Sequence, residues 1–412
     1  MKKAKIQVVA GLVALTAVLC LWGTANAGLD NPDLPDREGI KVINNIKIHG
    51  AFRTSEELDT NIYLSDAKAK FDAITVLVPS GGIEIPMGDS KISADYEADI
   101  NLYGKYTTEN HINQRARALA EINLTDYKIT VDEVLKDYTD RASDENSRRI
   151  ERFNNNMRVG VEAQFNKFGF DAGYTNIFDT YGSKDDLIYQ SITYGDRDRV
   201  YNIVDGSISY RFMPKTSIFL ESDLGFINYY NSSIPPNSWY IQTFVGLKGR
   251  PTNKILANIK GGFKYQGYSS SNIYNDKPFA GLVASGGIDY SVTNDDTLGF
   301  GIEKNTYEST YQNMNYYDAC IVSLDYKHRF NKKLLFKSFG SYQINLYPGQ
   351  TVEGGLYDKR YDNFYSGGLS FRYDIQKWAS LEFKYEYSQK SSRFHIYDYV
   401  DNRIIFSGTG GF

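Results

Sequence analysis

Residues Ile92 to Leu102 read ISADYEADINL, and this stretch decides the architecture. Ile92, Ala94, Tyr96, Ala98, Ile100 and Leu102 interleave with Ser93, Asp95, Glu97, Asp99 and Asn101, so a β-strand puts one set on each of its faces. Near the other end Leu381, Phe383, Tyr385 and Tyr387 alternate with Glu382, Lys384 and Glu386. Less regular copies follow at Met157, Val159, Val161, Ala163 and Phe165 against Arg158, Glu162 and Gln164, and at Leu282, Ala284, Ile288 and Tyr290 against Ser285, Asp289 and Ser291. The 34 Tyr, 23 Phe and 35 Gly against 10 Pro in 412 residues describe aromatic strands joined by tight turns. The chain reads as all-β.

Alternation alone also fits a soluble sandwich, and an aromatic-rich β core is the rival reading. The connections discriminate. Short ones fall at Pro86 to Ser90, Thr125 to Tyr127, Asn166 to Lys167, Pro214 to Thr216, Arg250 to Asn253, Thr293 to Asp296, Asn331 to Lys333 and Gln376 to Lys377. Longer polar ones fall at 57–69, 105–111, 141–152, 182–198, 231–237, 269–277, 311–315, 348–360 and 394–398. Short turns at one rim and long loops at the other characterise a transmembrane antiparallel β-barrel, here of about 18 strands, with periplasmic turns and extracellular loops. The small residues Ala94, Ala98, Ala116, Ala118, Ala120, Gly408 and Gly410 on the apolar faces suit lipid contact better than core filling. Phe212, Tyr229, Tyr230, Trp239, Tyr347, Tyr373 and Trp378 near strand ends are expected to form interfacial girdles.

Lys2, Lys3 and Lys5, the apolar run from Ile6 to Trp22, and Ala25-Asn26-Ala27 form a signal peptide over residues 1–27. Cys20 follows Leu19 rather than a small residue, which argues against lipidation. Residues 28–45 then read as a short periplasmic segment, too short for a folded plug, and 46–412 as the barrel. No second apolar run could form a membrane helix. Processing leaves one cysteine, Cys320, hence no internal disulfide. A net charge of -4 with both signs interspersed argues against nucleic acid as a partner.

The ending Ile404, Phe406 and Phe412, at even spacing, resembles the signal read by the outer-membrane barrel assembly machinery, although Gly408 and Gly410 occupy intermediate positions usually larger. More broadly the chain resembles the putative β-barrel porin 2 family. The likeness is carried by Ile46 to Ile85, with a Phe71-Asp72 pair and a strand broken at Pro79, by the hairpin Ser93 to Asp126, and by the ending Leu381 to Ser407 with Tyr397-Asp398-Tyr399 and Asn402-Arg403. It departs at Leu58-Asp59-Thr60-Asn61 and at Lys390-Ser391-Ser392. The resemblance implies a bacterial outer-membrane barrel that passes an exopolysaccharide, with a periplasmic export protein as partner.

An 18-stranded barrel is wide enough for a water-filled channel. The polar register assigns to its lumen Asp95, Glu97, Asp99, Arg115, Arg117, Glu121, Arg158, Glu162, Arg211, Glu221, Asp223, Lys260, Lys264, Glu303, Lys327, Arg329, Lys337, Arg372, Glu382, Lys384, Glu386 and Arg403. Acidic Asp95, Glu97 and Asp99 should face basic Arg115 and Arg117, giving a transverse field, although such charges also simply solvate and stiffen a wall. Most tyrosines fall in the apolar register, which leaves little for an aromatic sugar track.

Catalysis is not expected. His49, His111, His328 and His395 are scattered without a nucleophile at motif spacing. No His/Cys spacing suggests zinc, and no cofactor motif is present. Asp185-Asp186 and Asp196-Arg197-Asp198 could offer oxygen ligands to Ca²⁺, but a solvated acidic loop is the preferred reading. The leading expectation is a passive outer-membrane conduit exporting a secreted or capsular polysaccharide. The alternatives are a diffusive or solute-specific uptake porin for small polar nutrients and a structural or adhesive surface barrel.

Overall fold

In the computed structural model the described residues are 39–42, 45–141, 149–182, 187–189, 192–230, 236–269, 277–309, 311 and 314–412. The signal peptide, Asp185-Asp186 and all but a few residues of the 28–45 segment lie outside them. A two-residue strand, Ile40–Lys41, pairs with the start of the wall.

The wall comprises eighteen long strands. They are β1 (Lys47–Asp59), β2 (Asp72–Met87), β3 (Ser90–Tyr103), β4 (His111–Asn123), β5 (Tyr127–Asp140), β6 (Ile150–Phe165), β7 (Phe168–Tyr181), β8 (Arg199–Met213) and β9 (Thr216–Tyr229). Then come β10 (Ser238–Thr252), β11 (Ile255–Tyr268), β12 (Phe279–Ser291), β13 (Asp296–Glu308), β14 (Tyr316–Arg329), β15 (Leu334–Glu353), β16 (Leu356–Gln376), β17 (Ala379–Ser392) and β18 (Tyr399–Gly411). Each pairs antiparallel with its chain neighbours, and β1 also pairs with β18 from Ala51↔Gly411 to Asp59↔Arg403. The sheet therefore closes on itself, which removes its edges. Phe412 and Gly50 exchange backbone hydrogen bonds of 2.9 and 3.2 Å at the seam, and Ile404, Phe406, Gly408 and Gly410 share the outward register.

The outward register is apolar and bare, as Val245 at 65% and Leu282 at 70% exposure illustrate. This inverts a soluble core, where such side chains would be covered. Phe212, Tyr230, Trp239, Tyr373 and Trp378 lie exposed near strand ends. Tyr229 and Tyr347, expected in the same girdles, instead turn inward and are buried. One residue of register reverses a strand side chain, and both positions have inward parity.

Two loops differ from their reading in sequence. Residues 348–360 are not a loop: β15 and β16 run through them to a two-residue turn at Gly354 and Gly355, whose φ angles of 58 and 82° fit the tight turn that matches strand twist. The connection after β1, read as extracellular, folds into the barrel. Ile62 is fully buried against Ile74, Val76 and Val78 of β2 and Tyr103 of β3, with Tyr63 and Tyr106 alongside. The cause is β2, which is apolar on its inward face as well as its outward one, so the inward set must be shielded from water. The near-continuous apolar run from Ala73 to Val78 carried that signal.

Candidate channel lumen

The ladders place every residue assigned to the lumen from sequence in the inward register. In β3 and β4, Asp95 lies opposite Arg117 and Glu97 opposite Arg115. The row then continues across the wall as Arg115, Lys136, Asn154, Asp179 and Arg199, each opposite the next. One of the ion pairs runs diagonally, and two run straight across a small or apolar residue of β2, Gly82 and Val78. Arg117 Nε reaches Asp132 at 3.2 Å, Asp95 takes His49 at 2.7 Å, and Asp99 lies 4.0 Å from Arg53. Long side chains lean along the strand, which brings diagonal neighbours within reach.

Other candidates join local networks. Glu121 binds Lys91 and Lys128, Arg158 binds Asp205, Glu221 binds Lys260, and Asp223 accepts from Gln242. Arg403 lies between Glu57 and Glu386, which also takes Lys384 at 2.6 Å. Arg372 holds Asp374 at 2.9 Å and lies opposite Glu382, Glu303 accepts from Tyr307, and Arg211 donates to the Asn166 carbonyl. Glu162 lies opposite Lys128 and Lys327 opposite Lys337, one turn-ward step from Arg329.

A second row has a different character. Gly287, Gly301, Ser323, Ser341, Ser366 and Ser388 lie opposite one another in succession from β12 to β17. Ser341 and Ser366 share a 2.7 Å hydrogen bond. Strands β12–β17 stand nine places from β3–β8 in an eighteen-strand ring, so this row of glycine and hydroxyl lies across the lumen from the charged row, between inward charges such as Glu303 and Glu386 on the same strands.

Towards the long-loop rim the lumen fills. Asp59 and Asp401, 2% and 1% exposed, are bridged by Arg141 at 2.8 and 3.0 Å. Arg152 holds Asp179 at 2.6 Å, and Arg199 donates to Tyr229. Arg360 and Asp362 are both sealed from solvent and paired at 2.6 Å, with Lys390 3.3 Å from the same carboxylate. The guanidinium of Arg360 lies 4.3, 4.7 and 4.0 Å from the rings of Tyr311, Tyr347 and Tyr397, a box closed on the chain's own cation. In the connection after β1, burial first and then the Glu109 carboxylate, which accepts a hydrogen bond from it, push the Tyr63 hydroxyl up to about 12. Burial, more than its neighbours Tyr311 and Glu353, likewise raises Tyr397.

Sequence reading missed Arg53, Glu57, Asp59, Asp132, Arg152, Asp179, Arg199, Arg360, Asp362, Lys390 and Asp401. Extending the β6 alternation back to Ile150 would have found Arg152; Arg360 lay inside a segment read as loop. Asp196 accepts from the Thr193 amide and hydroxyl at 2.7 and 2.9 Å, and Asp198 from the Tyr181 amide at 2.8 Å, so both brace backbone. Among the described residues no cluster of three or more His, Cys, Asp and Glu is arranged to hold a metal ion.

A closed β-barrel with an apolar exterior and a charged interior is a porin-like pore. The chain belongs to the family described as putative beta-barrel porin 2, whose model matches residues 39–409. No curated protein matches it. Similar solved structures include OpdK of Pseudomonas aeruginosa with vanillate, at 10% identity, covering 89% of this chain and 99% of that one, TM-score 0.49. OccAB3 of Acinetobacter baumannii, at 12% identity, covers 90% and 100% with TM-score 0.49. A BenF-like porin of Pseudomonas fluorescens Pf-5, at 12% identity, covers 90% and 99% with TM-score 0.48.

Proposed function

We propose that this porin lies in a bacterial outer membrane and passes small polar solutes by diffusion, without catalysis. The observation that carries the reading is the pair of opposed rows, Glu97 to Arg199 across from Gly287 to Ser388, beneath a rim narrowed by the loop at Ile62. Such an opening polarises and hydrogen-bonds a small solute as it passes. A polysaccharide under export needs a clear axial bore, and the inward loop at Ile62 with the buried ion pairs near the long-loop rim speaks for the uptake alternative over the export expectation. The even strand number puts both termini at the short-turn, periplasmic rim. Lipid surrounds the apolar exterior, and the assembly machinery reads the Ile404, Phe406, Phe412 ending. A periplasmic export protein is not needed.

The test is liposome swelling with purified protein and neutral sugars of rising size. Free entry of a monosaccharide with a cutoff at short oligosaccharides supports the proposal. Equal entry of long polysaccharide chains, or none at all, overturns it.

A further inference from the structure

One ladder of the wall stops well short of its strands' ends. The ladder between β12 and β13 runs only from Ser291↔Thr297 to Ala284↔Lys304. Phe279–Val283 of β12 still pair with β11, and Asn305–Glu308 of β13 still pair with β14, yet among the described residues these two segments do not pair with each other. Instead the outer end of β13 crosses inside β12 and docks on the inner faces of β9, β10 and β11. Lys264 donates to the Asn305 side chain and the Thr306 carbonyl at 3.4 Å each. The Glu308 carboxylate accepts from Tyr229 and Ser238 at 3.1 Å and from Gln266. Tyr316 of β14 follows it inward, its ring 5.5 Å from Phe279 and 6.2 Å from Tyr268.

A cavity of about 410 Å³ remains where the wall would have been. Its lining mixes Phe279, Tyr347 and Arg360 of the inward register with Tyr316, Leu346 and Tyr361 of the outward one. Two registers share a cavity only where the sheet between them is missing. The sequence on either side can nevertheless close it. Continuing the existing register would set Val283 against Asn305, Leu282 against Thr306, Gly281 against Tyr307 and Ala280 against Glu308. That would restore ladder hydrogen bonds in exchange for the Glu308 contacts. Gly286, two residues from the break with φ of 142°, is a conformation open to glycine and strained for other residues, and it gives β12 a bend at the point where the strands part.

We infer that the arms Asn305–Glu308 and Tyr316–Asp318 are a gate with two seats, one docked in the lumen on the Glu308 latch, the other zipped to Ala280–Val283 in the wall. The inference rests on the barrel being a pore. In the docked seat the arms narrow the passage; in the zipped seat they clear it. Interconversion of two packed arrangements of one element is how such a switch works.

Two disulfide staples in a Cys320→Ser chain test it, each read by gel mobility with and without reductant and by single-channel conductance. Leu282→Cys/Thr306→Cys captures the zipped seat: it should oxidise and raise conductance by about twofold or more, reversed by reductant. Gln266→Cys/Glu308→Cys captures the docked seat: oxidised, it should conduct no more than the unmodified chain; reduced, lacking the latch carboxylate, it should conduct more. A folded barrel in which the second pair oxidises and the first never does means the arms are fixed, and the gate is overturned. Both staples forming without change in an existing conductance overturns it equally. Staples that form as expected in a protein that never conducts would leave the arm movement standing and sink the pore.

Discussion

Two ladder rows on opposite inner walls are built from opposite chemistry. On β3–β8 one row is Glu97, Arg115, Lys136, Asn154, Asp179 and Arg199; on β12–β17 the other is Gly287, Gly301, Ser323, Ser341, Ser366 and Ser388. The first wall offers charge carried on long side chains that reach into the bore and brace one another. The second offers hydroxyls held close to the backbone, which leave room. Size exclusion and charge preference are thereby assigned to different strands, and mutations should separate them.

The largest effect should come from removing what blocks the charged side. Replacing residues 62–69 with a short Gly-Ser bridge uncovers Ile74, Val76 and Val78 and should raise conductance by about twofold or more, with admission of larger sugars in swelling assays. An unchanged cutoff would mean the limiting section lies elsewhere. Next, Ser341→Trp puts bulk where the second wall is bare. Conductance should fall by about half while the reversal potential in a salt gradient holds. A shift in ion preference without a fall would merge the two walls into one.

Arg115→Glu/Arg117→Glu should do the converse: a smaller change in conductance with reversal potential moved toward cations. No movement would mean these side chains do not meet the permeating ions. The smallest effect is expected of Lys327→Gln. Its exposed ammonium lies near the short-turn mouth opposite Lys337, where salt screens it, so its slight shift should vanish at high ionic strength.

The charged wall was the more legible of the two in sequence. Asp95, Glu97 and Asp99 sit in a strand whose outward partners are all apolar, so parity alone settles which way they point. Arg152, Asp179 and Arg199 belong to strands that end among polar loop residues, where alternation fades and the last inward positions look like loop. The serine wall left a fainter trace still, because glycine and serine are as common in turns as in a crowded inner face. Only the ladder reveals that Gly301, Ser323, Ser341 and Ser366 lie in line. The inward loop had a readable signal in the doubly apolar face of β2, whereas the break between β12 and β13 had none: Leu282 and Thr306 would pair as well as any neighbours. The choice there depends on Glu308 finding Tyr229, Ser238 and Gln266, two to four strands back along the chain.

The account depends most on the alternating faces being wet and dry in a membrane. Single cysteines placed in a Cys320→Ser background at Glu97 and Ala98 on β3, and at Ser323 and Val322 on β14, can be reacted with a charged, water-soluble maleimide in reconstituted bilayers. Glu97→Cys and Ser323→Cys should label rapidly while Ala98→Cys and Val322→Cys stay protected. Equal labelling of each pair, or the reverse order, would contradict a water-filled lumen behind this wall.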